Sequence, residues 1–340
     1  MLCGVAQANL PYQPFHARLY APVDLFEGFD PRRPDSYAET MDFRTYRHFV
    51  RTGRGTDAPF FEGMMQSLHD NSVAKALHSF LRGRRCVAVM GGHKLERGTE
   101  AYRRVCVLSR ALARAGFTLA SGGGPGAMEA THLGAALSPC PASDMDAALH
   151  ELASARELPA AGEMVDGRGR VDGAIVRALH GWFRPAFAIS ARLRRPGRSV
   201  AVPTWHYGHE PSSPFASHIA KYFQNSVRED GLLAIATYGV VYSEGKAGTL
   251  QEIFQDAAQN YYRTCRWFSP MVLLGRRYWT RTFPVAPVLQ KLFKEDREQH
   301  RVLVTDDIDE AVRHIRRFKP PAAVARVLRA ERGRRPRRPR

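Results

Sequence analysis

Two glycine-rich stretches hold the residues of this chain whose types and spacing best suit chemistry. The first is Ser121-Gly122-Gly123-Gly124-Pro125-Gly126-Ala127-Met128-Glu129. It leaves an apolar run and enters a helical pattern. Glycines let the backbone turn sharply and approach an anion closely, and the unpaired N–H groups that open a helix point at it. Pro125 has its φ preset for a first helical turn. Four glycines in five residues exceed what a turn needs. The stretch therefore predicts an anion cradle of Gly122, Gly123, Gly124 and Gly126, closed by Glu129.

The second stretch is Glu244-Gly245-Lys246-Ala247-Gly248-Thr249, again between an apolar run and a helical pattern. Thr249 is expected to cap that helix while its hydroxyl donates to a phosphate oxygen, beside Gly245 and Gly248. Glu252 follows one helical turn later. There a carboxylate could face a ribose and stabilise the positive charge that builds on a sugar as its N-glycosidic bond breaks. The plainer reading of Glu252 is a solvated glutamate favoured near a helix N-terminus. Gly245-Lys246 is not a P-loop, since no glycine lies five positions earlier and Ala247 replaces the hydroxyl residue needed for magnesium. Gly91-Gly92 is followed by His93-Lys94-Leu95, so the dinucleotide fingerprint is missing and a nicotinamide oxidoreductase is disfavoured. Gly91 and Gly92 still belong to the expected pocket, and Lys94 or Arg97 could touch phosphate.

These loops need strands before them and helices after them. Short apolar runs at 86–90, 117–120, 199–202, 238–242, 271–274 and 302–304 read as strands. Ala101, Val105, Leu108, Leu112 and Ala115 line one helix face, with Gly116 placed to stop it. Leu250, Ile253, Phe254, Ala257 and Tyr261 line another, and Ile253 and Phe254 are expected in the core. A last helix over 308–315 is opened by Asp306 or Asp307. Strands alternating with helices predict a three-layer α/β architecture around a doubly wound parallel sheet, with ligands at the carboxyl ends of the strands. That domain spans 83–318. Residues 1–82 form a mostly helical extension, with one helix or two over 60–81. Residues 138–197 are an insertion, with a helix near 171–182, that is too long for a simple loop.

With both stretches and the strand series in view, the chain resembles the LOG ("lonely guy") family of Rossmann-like proteins, often mislabelled lysine decarboxylases. The resemblance runs from about Cys86 to Ile315 and is broken by the insertion. It rests on Gly122 to Ala130 and on the ending Gly248-Thr249-Leu250-Gln251-Glu252. It implies a phosphoribohydrolase that splits nucleoside 5′-monophosphates into base and ribose 5-phosphate. It also implies a homodimer, Glu252 as a catalytic carboxylate, and Arg228 in Asn225-Ser226-Val227-Arg228 as an arginine acting at the ribose or leaving base. The family's second motif is P-G-G-x-G-T-x-x-E. Here Glu244 stands in place of the proline and Lys246 in place of the second glycine. That departure bears on hydrolysis more than on binding. The alternative is a non-catalytic nucleotide-binding, sensor or carrier protein of the same fold.

Composition sets outer limits. The 340 residues carry a formal charge of +17, and eight arginines against one glutamate fall in 326–340. Arg332 to Arg340 alternates with Gly and Pro and predicts a disordered basic tail, read first as solubilising. A third function, handling single-stranded nucleic acid, lacks the aromatic series that stacking needs beside those arginines. Five scattered cysteines and no C-x-x-C pair argue against a disulfide framework or zinc ribbon and fit a reduced cytoplasm. His206 and His209 have no third ligand at useful spacing, so no metal is expected, nor any organic cofactor. No apolar run is long enough to span a membrane, and the start has no secretory signal pattern.

Overall fold

The computed structural model describes residues 10–55, 57–207, 211–264 and 267–321. The Arg332–Arg340 stretch and His209 lie outside them. The extension holds α1 (Pro22–Leu25), α2 (Met41–Arg51) and α3 (Phe60–Leu81), the last a single helix of 22 residues. Then come β1 (Cys86–Met90), α4 (Glu100–Arg114), β2 (Thr118–Ser121) and α5 (Ala127–Ala136). The insertion contributes α6 (Ala142–Leu152) and α7 (Gly173–Arg192). The chain closes with β3 (Ser199–Ala201), β4 (His218–Ile219), α8 (Asn225–Ile235), β5 (Val240–Tyr242) and α9 (Ala247–Tyr262). After these come β6 (Met271–Leu274), α10 (Val285–Leu292), β7 (Val302–Thr305) and α11 (Ile308–Arg317).

The seven strands form one sheet in the order β4-β3-β2-β1-β5-β6-β7, every neighbour parallel. Alternation along each strand feeds two cores. Cys86, Ala88 and Met90 face one, Val87 and Val89 the other; Met271 and Leu273 oppose Val272 and Leu274 in the same way. Helices therefore cover both faces, which is the three-layer arrangement expected from the sequence. The chain winds outward from β1 through β2, β3 and β4, then returns to β5 on the other side. Loops leaving β1 and β5 thus diverge, and the crevice between them is where such sheets bind ligands.

Helix boundaries follow local chemistry. Thr99 accepts from the Tyr102 amide at 3.2 Å to start α4, and Asp307 accepts from Asp309 and Glu310 to start α11. The core face of α9 needs correction. Ile253 is fully buried, but Phe254 is 43% and Tyr261 52% exposed; the inward positions are Ile253, Asp256, Ala257 and Asn260. The apolar pattern alone put the stripe about one position off, because two of the buried residues are polar. Asp256 accepts from the Tyr242 hydroxyl at 2.7 Å, and Asn260 accepts from the Ser269 amide at 2.8 Å. Among the described residues no helix is long and apolar enough to cross a membrane.

The extension is not an appendage. Tyr12, Leu25, Tyr37, Phe43, Phe49 and Val73 belong to the same buried cluster as Ala88, Val200 and Trp205. Tyr37 stacks on Phe183 of α7 with centroids 5.4 Å apart. Fully burying each such side chain contributes about 1.5–3 kcal/mol. A fragment beginning at residue 83 should therefore lose its cooperative thermal unfolding in calorimetry, whereas the longer chain keeps one transition. A sharp transition in the fragment would show that the extension is dispensable.

Candidate ligand-binding site

Three loops meet at the carboxyl edge of the sheet. The Gly92 amide donates to Glu244 O at 2.9 Å, tying the β1 loop to the β5 loop. The Ala127 amide donates to Gly92 O at 3.1 Å, tying in the start of α5. A Cβ on Gly126, whose φ is +69°, would lie 2.4 Å from Gly92 O. A Cβ on Gly91 would lie 2.0 Å from Ser243 Oγ, and one on Gly245 3.0 Å from Gly92 N. These approaches leave no room for side chains, so close packing alone calls for glycine at these positions. Gly123, at φ +76°, packs on Ala201, and its carbonyl accepts from the Ser213 amide at 2.8 Å. Gly248 differs: a Cβ there would meet nothing within 4 Å.

Two sequence expectations change. Thr249 is not the cap of α9. Lys246 occupies that position without a side-chain bond, and Thr249 lies inside the first turn, buried, with its Oγ1 turned toward Gly245. The amides of Gly245, Lys246, Ala247 and Gly248 consequently have no acceptor among the described residues. Such amides are the donors an anion takes at a helix start. Likewise α5 begins at Ala127 with Gly126 as its cap, so Pro125 precedes the helix.

Glu129 is not open to the crevice. It is 1% exposed, and its carboxylate accepts from Arg97 Nε at 2.8 Å, Arg97 Nη2 at 2.6 Å and the Tyr102 hydroxyl at 2.8 Å. Arg97 spends its remaining Nη1 on Trp182 O at 2.7 Å and Ala155 O at 3.3 Å, and its guanidinium stacks 3.6 Å from the Trp182 ring. Neither residue is left for a phosphate. Lys94 is exposed in the β1 loop.

Arg228 does reach the first glycine loop. It is 7% exposed, its Nε donates to Val202 O at 3.1 Å, and a Cβ on Gly122 would lie 2.3 Å from its Nη2. Among the described residues it has no carboxylate partner. The other buried lysine and arginine side chains among the described residues are neutralised: Arg97 by Glu129, and Lys221 by Asp42 at 2.6 Å. A buried charge without a counter-ion is costly, and an anion beside the Gly122 loop would offset that cost. Glu252 lies on α9, half-buried, with its carbonyl accepting from the Tyr242 hydroxyl at 3.4 Å. Helices α8 and α9 run together through Gln251 to Glu229 at 3.0 Å and Gln255 to Asp230.

What sets Arg228 in place was not foreseen from the sequence. Asp70, on α3, accepts from the Phe223 amide at 3.0 Å and the Gln224 amide at 2.9 Å, and so fixes the start of α8. His69 supports Asp70 at 2.9 Å and meets the Tyr20 hydroxyl at 2.8 Å; that hydroxyl meets His16 at 2.7 Å. Asp42 accepts from the Trp205 indole at 2.8 Å. The extension thus holds the 204–224 segment through two buried aspartates. Nothing in a polar sequence position marks it as buried, so only the structure brings these groups together. Among the described residues no cluster of metal ligands occurs, and Cys86, Cys106 and Cys140 are unpaired.

Beneath the first loop, His132 bonds Ser121 Oγ at 2.8 Å and Ser199 Oγ at 2.9 Å. Complete burial lowers its pKa to about 3, so the ring is neutral in the folded protein. An unfolded histidine protonates near pH 6.5. The stability it contributes is therefore complete above that pH and is lost as pH falls from 6.5 toward 3. Urea midpoints should decline between pH 6.5 and 4, and His132→Gln should flatten that decline by up to about 1.4 kcal/mol per pH unit. Parallel slopes for the two proteins would count against this account. For the ion pair, Arg97→Met should cost about 3–5 kcal/mol in urea denaturation by stranding the Glu129 charge. Arg97→Met with Glu129→Gln should recover part of the loss; no recovery would mean that packing on Trp182 dominates.

Comparison with known proteins yields likenesses of structure only. No family model matches the sequence, and no curated protein matches it. Forty-one solved chains match it in structure. One is the molybdenum cofactor binding protein from the phototrophic bacterium Rippkaea orientalis, 14% identical, covering 68% of this chain and 95% of that one, with a TM-score of 0.39. Another is the Moco carrier protein from Chlamydomonas reinhardtii, 16% identical, covering 73% of this chain and 99% of that one, with a TM-score of 0.35.

Proposed function

We propose that the protein binds a phosphorylated small molecule of the nucleoside monophosphate kind, and acts as a nucleotide-binding, sensor or carrier protein. The observation that carries this reading is Arg228: a buried guanidinium without a carboxylate partner among the described residues, set against Gly122. The open first-turn amides of α9 and the free space over Gly248 extend the same electropositive crevice. A phosphate would be held by Gly122, Gly123, Gly124 and Gly126 on one side and by Gly245, Gly248 and the α9 start on the other.

Hydrolysis of the N-glycosidic bond is the second reading, and Glu252 is what favours it. Its partial exposure weighs against it, because a carboxylate stabilises a developing cation best where water is excluded. Lys246 and Glu244, both exposed, replace the glycine and proline of the hydrolase motif at the mouth of the crevice.

Gly248→Val tests the crevice. It meets no neighbour in the fold and costs a helix no more than glycine does, so thermal stability should hold. Affinity for nucleoside monophosphates in calorimetric titration should fall more than about tenfold. Unchanged affinity would sink the assignment. Molybdenum cofactor, named for the two similar structures, belongs in the same ligand panel. The two readings separate on free base. A binder releases none from any monophosphate. A hydrolase releases it, and Glu252→Gln lowers turnover by roughly 100-fold, about 3 kcal/mol, with little change in binding.

A further inference from the structure

Beside the glycine loops lies a cavity of about 410 Å³ that no sequence pattern marks. One wall is the β1 loop from His93 to Arg97, together with Pro125 and Gly126 of the first glycine loop. The other wall comes from the insertion, residues 156–163 and Trp182 of α7. Gly126 belongs both to this cavity and to the cradle, so the two adjoin. Small-molecule pockets of about 300–1,000 Å³ are mostly apolar, with a few polar groups that fix orientation.

Its chemistry selects the ligand part. Leu95, Pro125, Leu158, Pro159 and Trp182 supply apolar surface. Lys94, Glu157 and Glu163 leave its rim with more acid than base, and its other charges are spent within the protein. Arg97 is paired with Glu129, and Arg156 with Glu96 at 2.9 Å. A second anionic group finds little here. A flat, uncharged ring does. Trp182 is 5% exposed, yet its indole N–H has no acceptor among the described residues. Buried donors are nearly always bonded, and an unmade bond costs about 1–3 kcal/mol. Its ring is held in place by the Arg97 guanidinium, so the donor is preset.

We infer that this cavity takes the heteroaromatic end of the phosphorylated ligand, and that the insertion, through Trp182, reads a ring acceptor such as a heterocyclic nitrogen or carbonyl oxygen. This rests on the phosphate reading above and assigns the insertion a part in specificity. The phosphate anchors at the glycine loops, and the ring lies across Gly126 against Trp182.

Calorimetric titration with ribose 5-phosphate and with purine nucleoside monophosphates tests it. The wild type should bind the nucleotides at least about tenfold more tightly than ribose 5-phosphate, which carries the phosphate without the ring. Trp182→Phe keeps the ring on Arg97 and removes the N–H. Ala160→Trp fills the cavity from its exposed rim. Each should bring nucleotide affinity down to that of ribose 5-phosphate and leave the latter unchanged, which also shows that the variants fold. Equal affinity of the wild type for both probes would overturn the cavity assignment and leave the phosphate cradle standing. So would equal losses for both probes in both variants, or no loss at all. Binding of neither probe by the wild type would remove the cradle, and this inference with it.

Discussion

Everything at the ligand edge depends on how closely the backbones of two other loops approach Gly92. Its amide donates to the β5 loop and its carbonyl accepts from the start of α5. Gly126 and Gly245 press on it from either side, at distances where a Cβ would collide. Because β1 is central and its neighbours β2 and β5 lead in opposite directions, this is the one place in the sheet where loops from both halves converge. Close backbone contact brings two helix N-termini to the same crevice and leaves the α9 amides facing outward. The proposed anion site would therefore be a by-product of packing that already demands glycine, and a single methyl group at Gly91 or Gly126 would disturb fold and site together.

Buried charge gives the second constraint. Arg97, Lys221, Asp42, Glu129 and Asp70 are all nearly inaccessible, and each finds ionic or hydrogen-bonding partners inside the chain. Their partners lie far apart in sequence, so each pairing fixes the register of one segment on another. Arg228 departs from this economy, and it sits where the glycine loop leaves room for an anion. The contrast between satisfied and unsatisfied buried cations is more informative than net charge, since much of the +17 comes from eight arginines against one glutamate in 326–340.

The strands were legible because parallel strands buried on both faces must be continuous apolar runs; 86–90 and 271–274 match what the structure holds. The two-residue β4 was not, being shorter than any pattern can register. Both glycine loops were legible, since their geometry demands the one residue that stands out in a sequence. Thr249 and Phe254 misled for a common reason: α9 begins at Ala247, and Asp256 and Asn260 face inward. In the extension the helix over 60–81 was legible, and its attachment was not. Beside its apolar contacts, that attachment uses Asp42, Glu62, His69 and Asp70, types that ordinarily sit in water, so the hold on Arg228 leaves no trace in hydrophobic periodicity.

The insertion raises the question why its contact with the half that carries the glycine loops should include a buried ion pair. Burying a charge pair often gains little over well-packed apolar residues, so stability alone is a weak explanation. Geometry offers a better one. Arg97 joins three segments at once: α5 through Glu129, the chain after α6 through Ala155 O, and α7 through Trp182. Aliphatic side chains of the same volume would fill that space without selecting one register among several. A planar guanidinium with five directed donors selects one, and stacks on the indole as it does so. The wall that Trp182 presents is then set relative to Gly126, which shares the same cavity, by one residue of the β1 loop. Cradle and cavity wall, though encoded on separate parts of the chain, are both bonded to this one side chain.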